Sequence, residues 1–392
     1  MVTFPGRSRS AWRHRKRVPL PAARLTQNHV DVGASANLAA KIMEEARLAH
    51  NQGRISQAAL AALSTMEEAG EPAAVLWPWF IMAECGVPSA TWLPTTHHDN
   101  DVPVLDGMPS ATAFFEDFVL PSRPVVLRGA LNLAMRPARD LADVDYLRRR
   151  CGHRRIPVKS LPREDLEGRR VFVTDPDTRL PFSAFLDAMS AAERDRTSKC
   201  PFYLGKIPLK SELPELDLDL QQAVPSSPWP PRLYERCFGP LSPEGVFTYL
   251  GCSRNVTATH FDNSENLMLC IHGTKRLWLF PPSDTPFLSP AADLARASRA
   301  DAPPFCKWTD LPADLQGAFP ALARASPVEV LLEAGDALYL PACYWHCVEG
   351  SEGRNMILSY WFGLHPRKAA QEQGGCADKW REWVHNWPAP VE

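Results

Sequence analysis

Two potential metal ligands, His260 and Asp262, stand two residues apart in the chain. They belong to the run VTATHFD at 256–262, whose β-branched and aromatic residues predict a β-strand. Residues i and i+2 of a strand point to the same face, so Ala258, His260 and Asp262 are expected to project side by side. An imidazole and a carboxylate in this arrangement can bind a divalent metal, but a third ligand must come from another segment.

His346 offers that third ligand. It follows the block LLEAGDALYLP at 331–341, which predicts a strand, a Gly-Asp turn and a second strand that ends at the proline. Two histidines and one carboxylate on one side of a metal leave about three positions open, as in non-haem Fe(II) oxygenases. A structural zinc site would be closed by four ligands. The set of three residues therefore indicates oxygen chemistry.

Lys275 is a cation in an apolar setting. The segments 266–271 and 275–280 predict two strands of a hairpin, joined by a turn at Gly273. Lys275 shares a strand face with two leucines, where burial is costly without an anion, and a bound carboxylate would supply one. Taken alone, an H-x-D pair, a single histidine or a strand lysine is more often structural. The functional interpretation depends on the whole set.

Two segments of the chain resemble the JmjC, or cupin-8-like, Fe(II)- and 2-oxoglutarate-dependent oxygenases. They are TATHFDNSENLMLCIHGTKRLWLFPP at 257–282 and LEAGDALYLPACYWHCV at 332–348. The resemblance is closest to the small hydroxylases of that family, which include the tRNA wybutosine hydroxylase and protein asparaginyl, lysyl and arginyl hydroxylases. It implies a mainly β fold with helical additions: a double-stranded β-helix (jelly roll, cupin-like JmjC) core with an N-terminal helical segment and a C-terminal helix.

The resemblance also implies roles for matching residues. The implied Fe(II) ligands are His260, Asp262 and His346, and the implied co-substrate contacts are Lys275, Thr257, Asn266 and Tyr203. Lys275 and Thr257 would hold the distal carboxylate of 2-oxoglutarate, and Tyr203 would donate from its phenol. Ser359 stands where many relatives carry asparagine, which puts one co-substrate contact in doubt.

The implied reaction is hydroxylation of a C–H bond by a dioxygenase that uses Fe(II), 2-oxoglutarate and O₂. A protein side chain is the leading substrate class. The alternatives are the same chemistry on a modified tRNA nucleoside, lysine demethylation, and a non-catalytic binding module with this fold. The complete triad together with Lys275 argues against the non-catalytic alternative. Residues 148–170 hold nine basic and three acidic side chains, which usually form a solvated face but could contact tRNA.

Composition limits the remaining classes. The net charge of −2 gives no overall nucleic-acid footprint. No apolar run approaches the ~20 residues of a membrane span, so no membrane partner is expected. The ten cysteines include no C-x-x-C pair, which is typical of a reducing compartment and predicts a cytoplasmic or nuclear location.

The sequence divides into five parts. They are a basic disordered tail at 1–30, a helical hairpin region at 34–86, a linker at 87–110, the oxygenase domain at 111–364 and a Trp-rich C-terminal helix at 365–392. The tail could instead be an organelle-targeting or nuclear signal. Trp380, Trp383 and Trp387 follow helical spacing and must pack on something, so a homodimer through this helix is a further hypothesis.

Overall fold

The computed structural model describes residues 32–68, 102–164, 169–172, 176–195, 199–224, 229–262, 264–288, 300 and 311–367. The predictions for the basic tail at 1–30, for residues 69–101 and for residues 368–392 with their tryptophans lie outside these ranges. Among the described helices, none is long and apolar enough to cross a membrane.

Two helices form the first described part of the chain, α1 (Val32–Asn51) and α2 (Gln57–Glu68). Ile42, Ala46 and Ala49 of α1 are buried at helical spacing. The two helices contact each other, and Leu63 of α2 is also buried. Gly53 in the connection has a φ of 72°, which a residue without a Cβ adopts at little cost.

Fifteen strands follow within the described residues. They are β1 (Val104–Asp106), β2 (Val125–Arg128), β3 (Arg155–Val158), β4 (Arg163–Glu164), β5 (Arg170–Val171), β6 (Thr178–Pro181), β7 (Leu204–Pro208), β8 (Leu241–Gly251), β9 (Asn255–His260), β10 (Glu265–His272), β11 (Thr274–Phe280), β12 (Val328–Glu333), β13 (Ala337–Leu340), β14 (Trp345–Gly350) and β15 (Asn355–Phe362). The first sheet has the order β1-β2-β13-β10-β15-β8-β7, and the second has the order β12-β11-β14-β9-β5-β4. Strands β3 and β6 form a separate ribbon.

Short helices complete the domain. They are α3 (Ala111–Phe114), continued by a π-helical turn at Phe115–Val119, then α4 (Ala138–Ala142), α5 (Val144–Cys151), α6 (Phe182–Arg194), α7 (Leu209–Glu212), α8 (Pro214–Ala223), α9 (Pro230–Leu233) and α10 (Ala313–Ala318). Ser110 caps α3 by accepting a hydrogen bond from the Ala113 amide. Helices α5, α6 and α8 pack on the outer face of the first sheet.

The sequence of strand β10 is an almost continuous apolar run, and the surroundings of the strand explain why. Leu267, Leu269 and Ile271 point to the helices on the outer face, whereas Met268 and Cys270 point to the apolar interior between the two sheets. Both faces of the strand are therefore buried, and simple apolar–polar alternation is lost. The interior between the sheets is the core of the jelly roll, so the predicted fold class is confirmed.

The predicted hairpin at 266–280 is wrong in its pairing. Both strands form and Gly273 makes the turn, but β10 pairs with β13 and β15, whereas β11 pairs with β12 and β14. The turn carries the chain from the first sheet to the second. A Cβ at Gly273 would lie 2.2 Å from the Arg354 carbonyl oxygen, so this crossing requires glycine. Lys275 thus enters the interior from the sheet opposite to Asn266.

The outer face of the second sheet is covered separately. Val256 of β9 and Trp345 of β14 pack there with Leu288 and Leu322, which lie beyond the strands in the segment between β11 and β12. The side chains of β9, β11 and β14 that do not join this outer cluster point to the interior between the sheets.

Candidate metal and co-substrate site

His260 and His346 are direct cross-strand partners on β9 and β14, and their ring centroids lie 4.2 Å apart. Asp262 follows the end of β9, and its backbone carbonyl accepts a hydrogen bond of 2.8 Å from the Cys343 amide. Asp262 Oδ2 lies 3.8 Å from His346 Nε2. One ligand atom from each of the three residues lies within 4.8 Å of the others. The spacing suits a single metal ion.

Backbone hydrogen bonds orient both imidazoles. Nδ1 of His260 lies 2.8 Å from the Ala258 carbonyl oxygen, and Nδ1 of His346 lies 3.0 Å from the Tyr344 carbonyl oxygen. A carbonyl oxygen can only accept, so Nδ1 of each ring carries the proton and donates it. Nε2 of each ring keeps its lone pair, which is the form that a metal requires.

The three groups have protonation states that suit a metal. Burial, with a smaller contribution from His346, lowers the pKa of His260 to about 3, and burial also lowers the pKa of His346. Burial alone would raise the pKa of Asp262, but the two neighbouring imidazoles hold it below its ordinary value. At neutral pH the site therefore offers two neutral imidazoles and one carboxylate without losing protons.

A β-bulge corrects the predicted face of β9. Between the pairs Thr257–Val348 and His260–His346, two residues of β9 face a single residue of β14. Thr257 and His260 consequently share the inner side although three residues separate them. Ala258 packs with the apolar cluster on the outer side, so its predicted position beside His260 is wrong. Asp262 reaches the site from beyond the strand end.

Lys275 lies deep in the interior. Its side chain is 2% exposed, and its ammonium lies 5.7 Å from the centroid of the Tyr203 ring. Among the described residues, no carboxylate lies within ion-pair distance of it. Burial lowers the pKa of Lys275 to about 8. A buried ammonium with no carboxylate beside it fits an anionic ligand.

Other polar groups line the same interior. Tyr203 is buried, its hydroxyl faces Thr257 and Asn255, and burial raises its pKa to about 12, so it is a neutral donor. Asn266 and Ser359 are also buried, and Asn266 Oδ1 and Ser359 Oγ have no hydrogen-bond partner among the described residues. Unpartnered buried polar atoms are rare in folded proteins, so they are the expected mark of a ligand pocket. The donor set fits Fe(II) with a dicarboxylate.

Lys206 is a further charged residue near the triad that has no recognisable sequence pattern. It is exposed, but its ammonium lies over the ring of Trp361 on β15. It is close enough for its charge to act on His260, Asp262 and His346. A lysine in an irregular strand gives no sign in the sequence that it approaches a site.

Comparisons with known proteins agree with this geometry. Residues 111–368 match the family model of the cupin-like domain, so the chain belongs to the cupin-like family of JmjC proteins. Its JmjC relatives are Fe(II)- and 2-oxoglutarate-dependent oxygenases, and this chain is an oxygenase of that class. The predicted family and enzyme class are therefore confirmed.

Three relatives illustrate the range of the family. The chain is 29% identical over 281 residues to the bifunctional peptidase and (3S)-lysyl hydroxylase JMJD7 of Homo sapiens, covering 67% of this chain and 84% of that protein. It is 26% identical over 275 residues to tRNA wybutosine-synthesizing protein 5 of Gallus gallus, covering 66% and 76%. It is 26% identical over 262 residues to lysine-specific demethylase 8 of Danio rerio, covering 65% and 56%.

Proposed function

We propose that this chain hydroxylates a C–H bond of a protein side chain, with Fe(II) held by His260, Asp262 and His346 and 2-oxoglutarate anchored by Lys275. One observation carries the proposal: the three ligand atoms lie within 4.8 Å of one another in an interior that also holds the buried Lys275. A metal site without that cation would fit many reactions, and the cation adds a place for a carboxylate.

The strand register supports a single ligand that binds the metal at one end and Lys275 at the other. Leu279 of β11 pairs with His346, and Lys275 lies four residues earlier on the same face of β11. Four strand residues span about 13 Å between backbones. The long lysine side chain covers part of that distance, and a five-carbon dicarboxylate that chelates the metal can cover the rest.

Different residues of the pocket would bind the metal, orient the co-substrate and exclude water. Nε2 of each histidine and the Asp262 carboxylate would hold Fe(II), which together with 2-oxoglutarate and O₂ supplies the oxidising chemistry. The Lys275 ammonium and the hydroxyls of Tyr203 and Thr257 would orient the distal carboxylate. The apolar side chains that pack between the two sheets would exclude water from this pocket, which strengthens each of these polar contacts.

Asn266 and Ser359 would complete the pocket from the first sheet. Both lie on its inner face, Asn266 on β10 and Ser359 on β15, and each has an unpartnered polar atom. Serine replaces the asparagine of many relatives and offers a hydroxyl in place of the amide. That hydroxyl can contact the co-substrate itself or through a bridging water.

The basic stretch at 148–170 favours a protein substrate over tRNA. Four of its arginines form ion pairs with carboxylates of other segments: Arg148 with Asp187, Arg150 with Asp219, Arg154 with Glu215 and Arg169 with Glu349. A cation that is already paired gains less from a phosphate, and nucleic-acid affinity depends on free cations. The similarity to a protein named as a lysyl hydroxylase supports the same choice.

The proposal is tested with purified full-length chain, Fe(II), ascorbate and 2-oxoglutarate, by measuring succinate. Wild-type protein should form succinate, and His260→Ala should not. His153→Ala is the matched control, because His153 is an exposed histidine with 67% side-chain exposure, remote in sequence from the triad. Absence of both 2-oxoglutarate binding and succinate formation in the wild type would contradict the proposal.

Substrate class is tested by mass spectrometry of cellular proteins and of tRNA nucleosides after incubation with wild-type or His260→Ala protein. A mass gain of one oxygen on a peptide, dependent on His260, supports the protein substrate. The same gain confined to a nucleoside would show that tRNA is the substrate.

A further inference from the structure

Two asparagines form a buried pair of amides close to Lys275 and Tyr203. Asn255 begins β9 and is 1% exposed, and Asn355 begins β15 and is fully buried. Both polar atoms of the Asn255 amide and Oδ1 of Asn355 have no hydrogen-bond partner among the described residues. Because unpaired buried amide atoms reduce stability, their presence at one place calls for a functional reason.

Two glycines show where these amides lie. On β14, His346, Val348 and Gly350 alternate on the inner face, and Gly350 is the cross-strand partner of Lys275. A Cβ at Gly350 would lie 2.6 Å from Asn255 Oδ1 and 2.6 Å from Asn355 Oδ1. Both amides therefore occupy the space beside Lys275 that a side chain at position 350 would fill.

The second glycine connects Asn255 with Tyr203. A Cβ at Gly251 would lie 2.8 Å from Asn255 Oδ1 and 2.8 Å from Cδ2 of Tyr203. The Asn255 amide and the phenol ring thus share the space above Gly251, and the hydroxyl of Tyr203 faces both Asn255 and Thr257. The absence of side chains at both glycines is what allows the amide to reach the phenol.

Asn355 has a fixed orientation. Its Nδ2 donates to the carbonyl oxygens of Ser351 and Gly353, at 3.2 and 3.1 Å. Its Oδ1 is therefore turned toward the space beside Gly350, where it meets the Asn255 amide. Asn355 Oδ1 and both polar atoms of the Asn255 amide have no partner among the described residues, so the Asn255 N–H remains available to the phenol.

We infer that Asn255 is a positioning residue of the co-substrate pocket: its amide N–H, which has no partner among the described residues, turns on binding of 2-oxoglutarate to donate to the Tyr203 oxygen and directs the phenolic proton to the distal carboxylate. A free phenol O–H can rotate toward several acceptors. A donor fixed on one side occupies an oxygen lone pair, so the proton points to the remaining acceptor. This inference rests on the proposed function, because it assigns a role toward 2-oxoglutarate.

The test measures 2-oxoglutarate binding by calorimetry under argon, with Mn(II) in place of Fe(II) in the full chain. Asn255→Leu removes the amide but keeps a similar shape. Replacing an unpartnered buried amide by an apolar group of the same shape should leave the melting temperature unchanged or raise it. The dissociation constant of 2-oxoglutarate should nevertheless rise about ten-fold, as expected when a hydrogen bond to a charged group loses its alignment.

Two comparisons separate positioning from general damage. The monoacid 2-oxopentanoate lacks the distal carboxylate, so its dissociation constant should not change in Asn255→Leu. In a Tyr203→Phe background, Asn255→Leu should add almost nothing, because the group that it positions is absent. Should Asn255→Leu fail to fold, Asn255→Ala removes the amide without adding charge or bulk, and the same expectations hold for the two ligands and for the Tyr203→Phe background.

Three results would overturn the inference. They are a 2-oxoglutarate constant within about two-fold of wild type, an equal loss for both probes, or additive effects of the two substitutions. Wild-type protein that binds Mn(II) but not 2-oxoglutarate would overturn the proposed function itself, which distinguishes that failure from a failure of the Asn255 role.

Discussion

The ammonium of Lys206 lies 4.4 Å from the centroid of the Trp361 ring, so an exposed lysine covers an aromatic residue of the inner sheet face. Lys206 lies in a β-bulge, where the two residues of β7 between Leu204 and Ile207 face a single residue of β8, and its φ is 60°. A left-handed backbone at a residue other than glycine costs about 1–3 kcal/mol and is concentrated at functional sites. The bulge turns the lysine toward the triad instead of the helices.

The charge of Lys206 should oppose binding of a divalent metal. The Lys206 ammonium repels a divalent metal ion bound at the triad. Lys206→Gln is therefore expected to tighten Mn(II) binding by about two- to five-fold at low salt. The difference should shrink as ionic strength rises, since the lysine is exposed. Titration followed by electron paramagnetic resonance measures both effects. Lys210→Gln is the control, because Lys210 is exposed and contacts the Pro243 carbonyl oxygen; equal affinities of wild type and Lys206→Gln at low salt would contradict the expectation.

The Lys275 ammonium should lower the stability of the ligand-free protein and strengthen the binding of 2-oxoglutarate. Its burial lowers its pKa from 10.5 to about 8, so Lys275→Met is expected to stabilise the ligand-free protein by about 3 kcal/mol at pH 7. The same variant should bind 2-oxoglutarate about 100-fold more weakly, because it loses a charge-assisted contact. Thermal unfolding and calorimetry measure the two effects. Arg276→Met, at an exposed neighbour paired with Glu329, should change neither strongly; a destabilised Lys275→Met would show that the ammonium supports the fold.

The pKa of Lys275 also predicts a pH dependence. A carboxylate binds the charged form, so the dissociation constant of 2-oxoglutarate should be constant below pH 8 and rise above it, approaching ten-fold per pH unit. Binding at pH 9 should take up a proton, which calorimetry in two buffers of different ionisation enthalpy counts. In the ligand-free protein the unfolded chain binds more protons between pH 8 and 10.5, so stability should increase with pH across that window. Binding at pH 9 without proton uptake would assign the anion contact to another group.

Residue types and local spacing were sufficient to single out His260, Asp262 and His346, whose ligand atoms lie within 4.8 Å of one another, and the buried Lys275, because charged and metal-binding side chains are unusual within apolar segments. Strand partners were not predictable in the same way. The segments on either side of Gly273 are apolar on both faces, so local alternation does not say whether they pair with each other or cross between sheets, and the structure has them cross.

Bulges account for the other differences. One extra residue in β9 turns Ala258 outward and brings Thr257 and His260 to the same side, whereas strict alternation predicts the opposite. The register at a bulge depends on hydrogen bonds to a distant strand, which no local window contains. The burial of Asn255 depends in the same way on the missing side chains of two glycines that are distant in sequence from one another.

Gly350 should be the least tolerant glycine of the site. A Cβ there would lie 2.6 to 2.7 Å from the amide atoms of Asn255 and Asn355, which are buried and have little room to move. Gly350→Ala is therefore expected to destabilise the protein by about 1–3 kcal/mol, as overpacking of an interior does. It should also weaken 2-oxoglutarate binding, because the displaced Asn255 amide no longer lies against the Tyr203 phenol.

Gly353→Ala is the matched control for Gly350→Ala. No heavy atom lies within 4 Å of the Cβ position at Gly353, so the stability of this variant should stay within about 0.5 kcal/mol of wild type. Urea unfolding and calorimetry measure both variants, and equal stability of the two would mean that the amides move aside without cost.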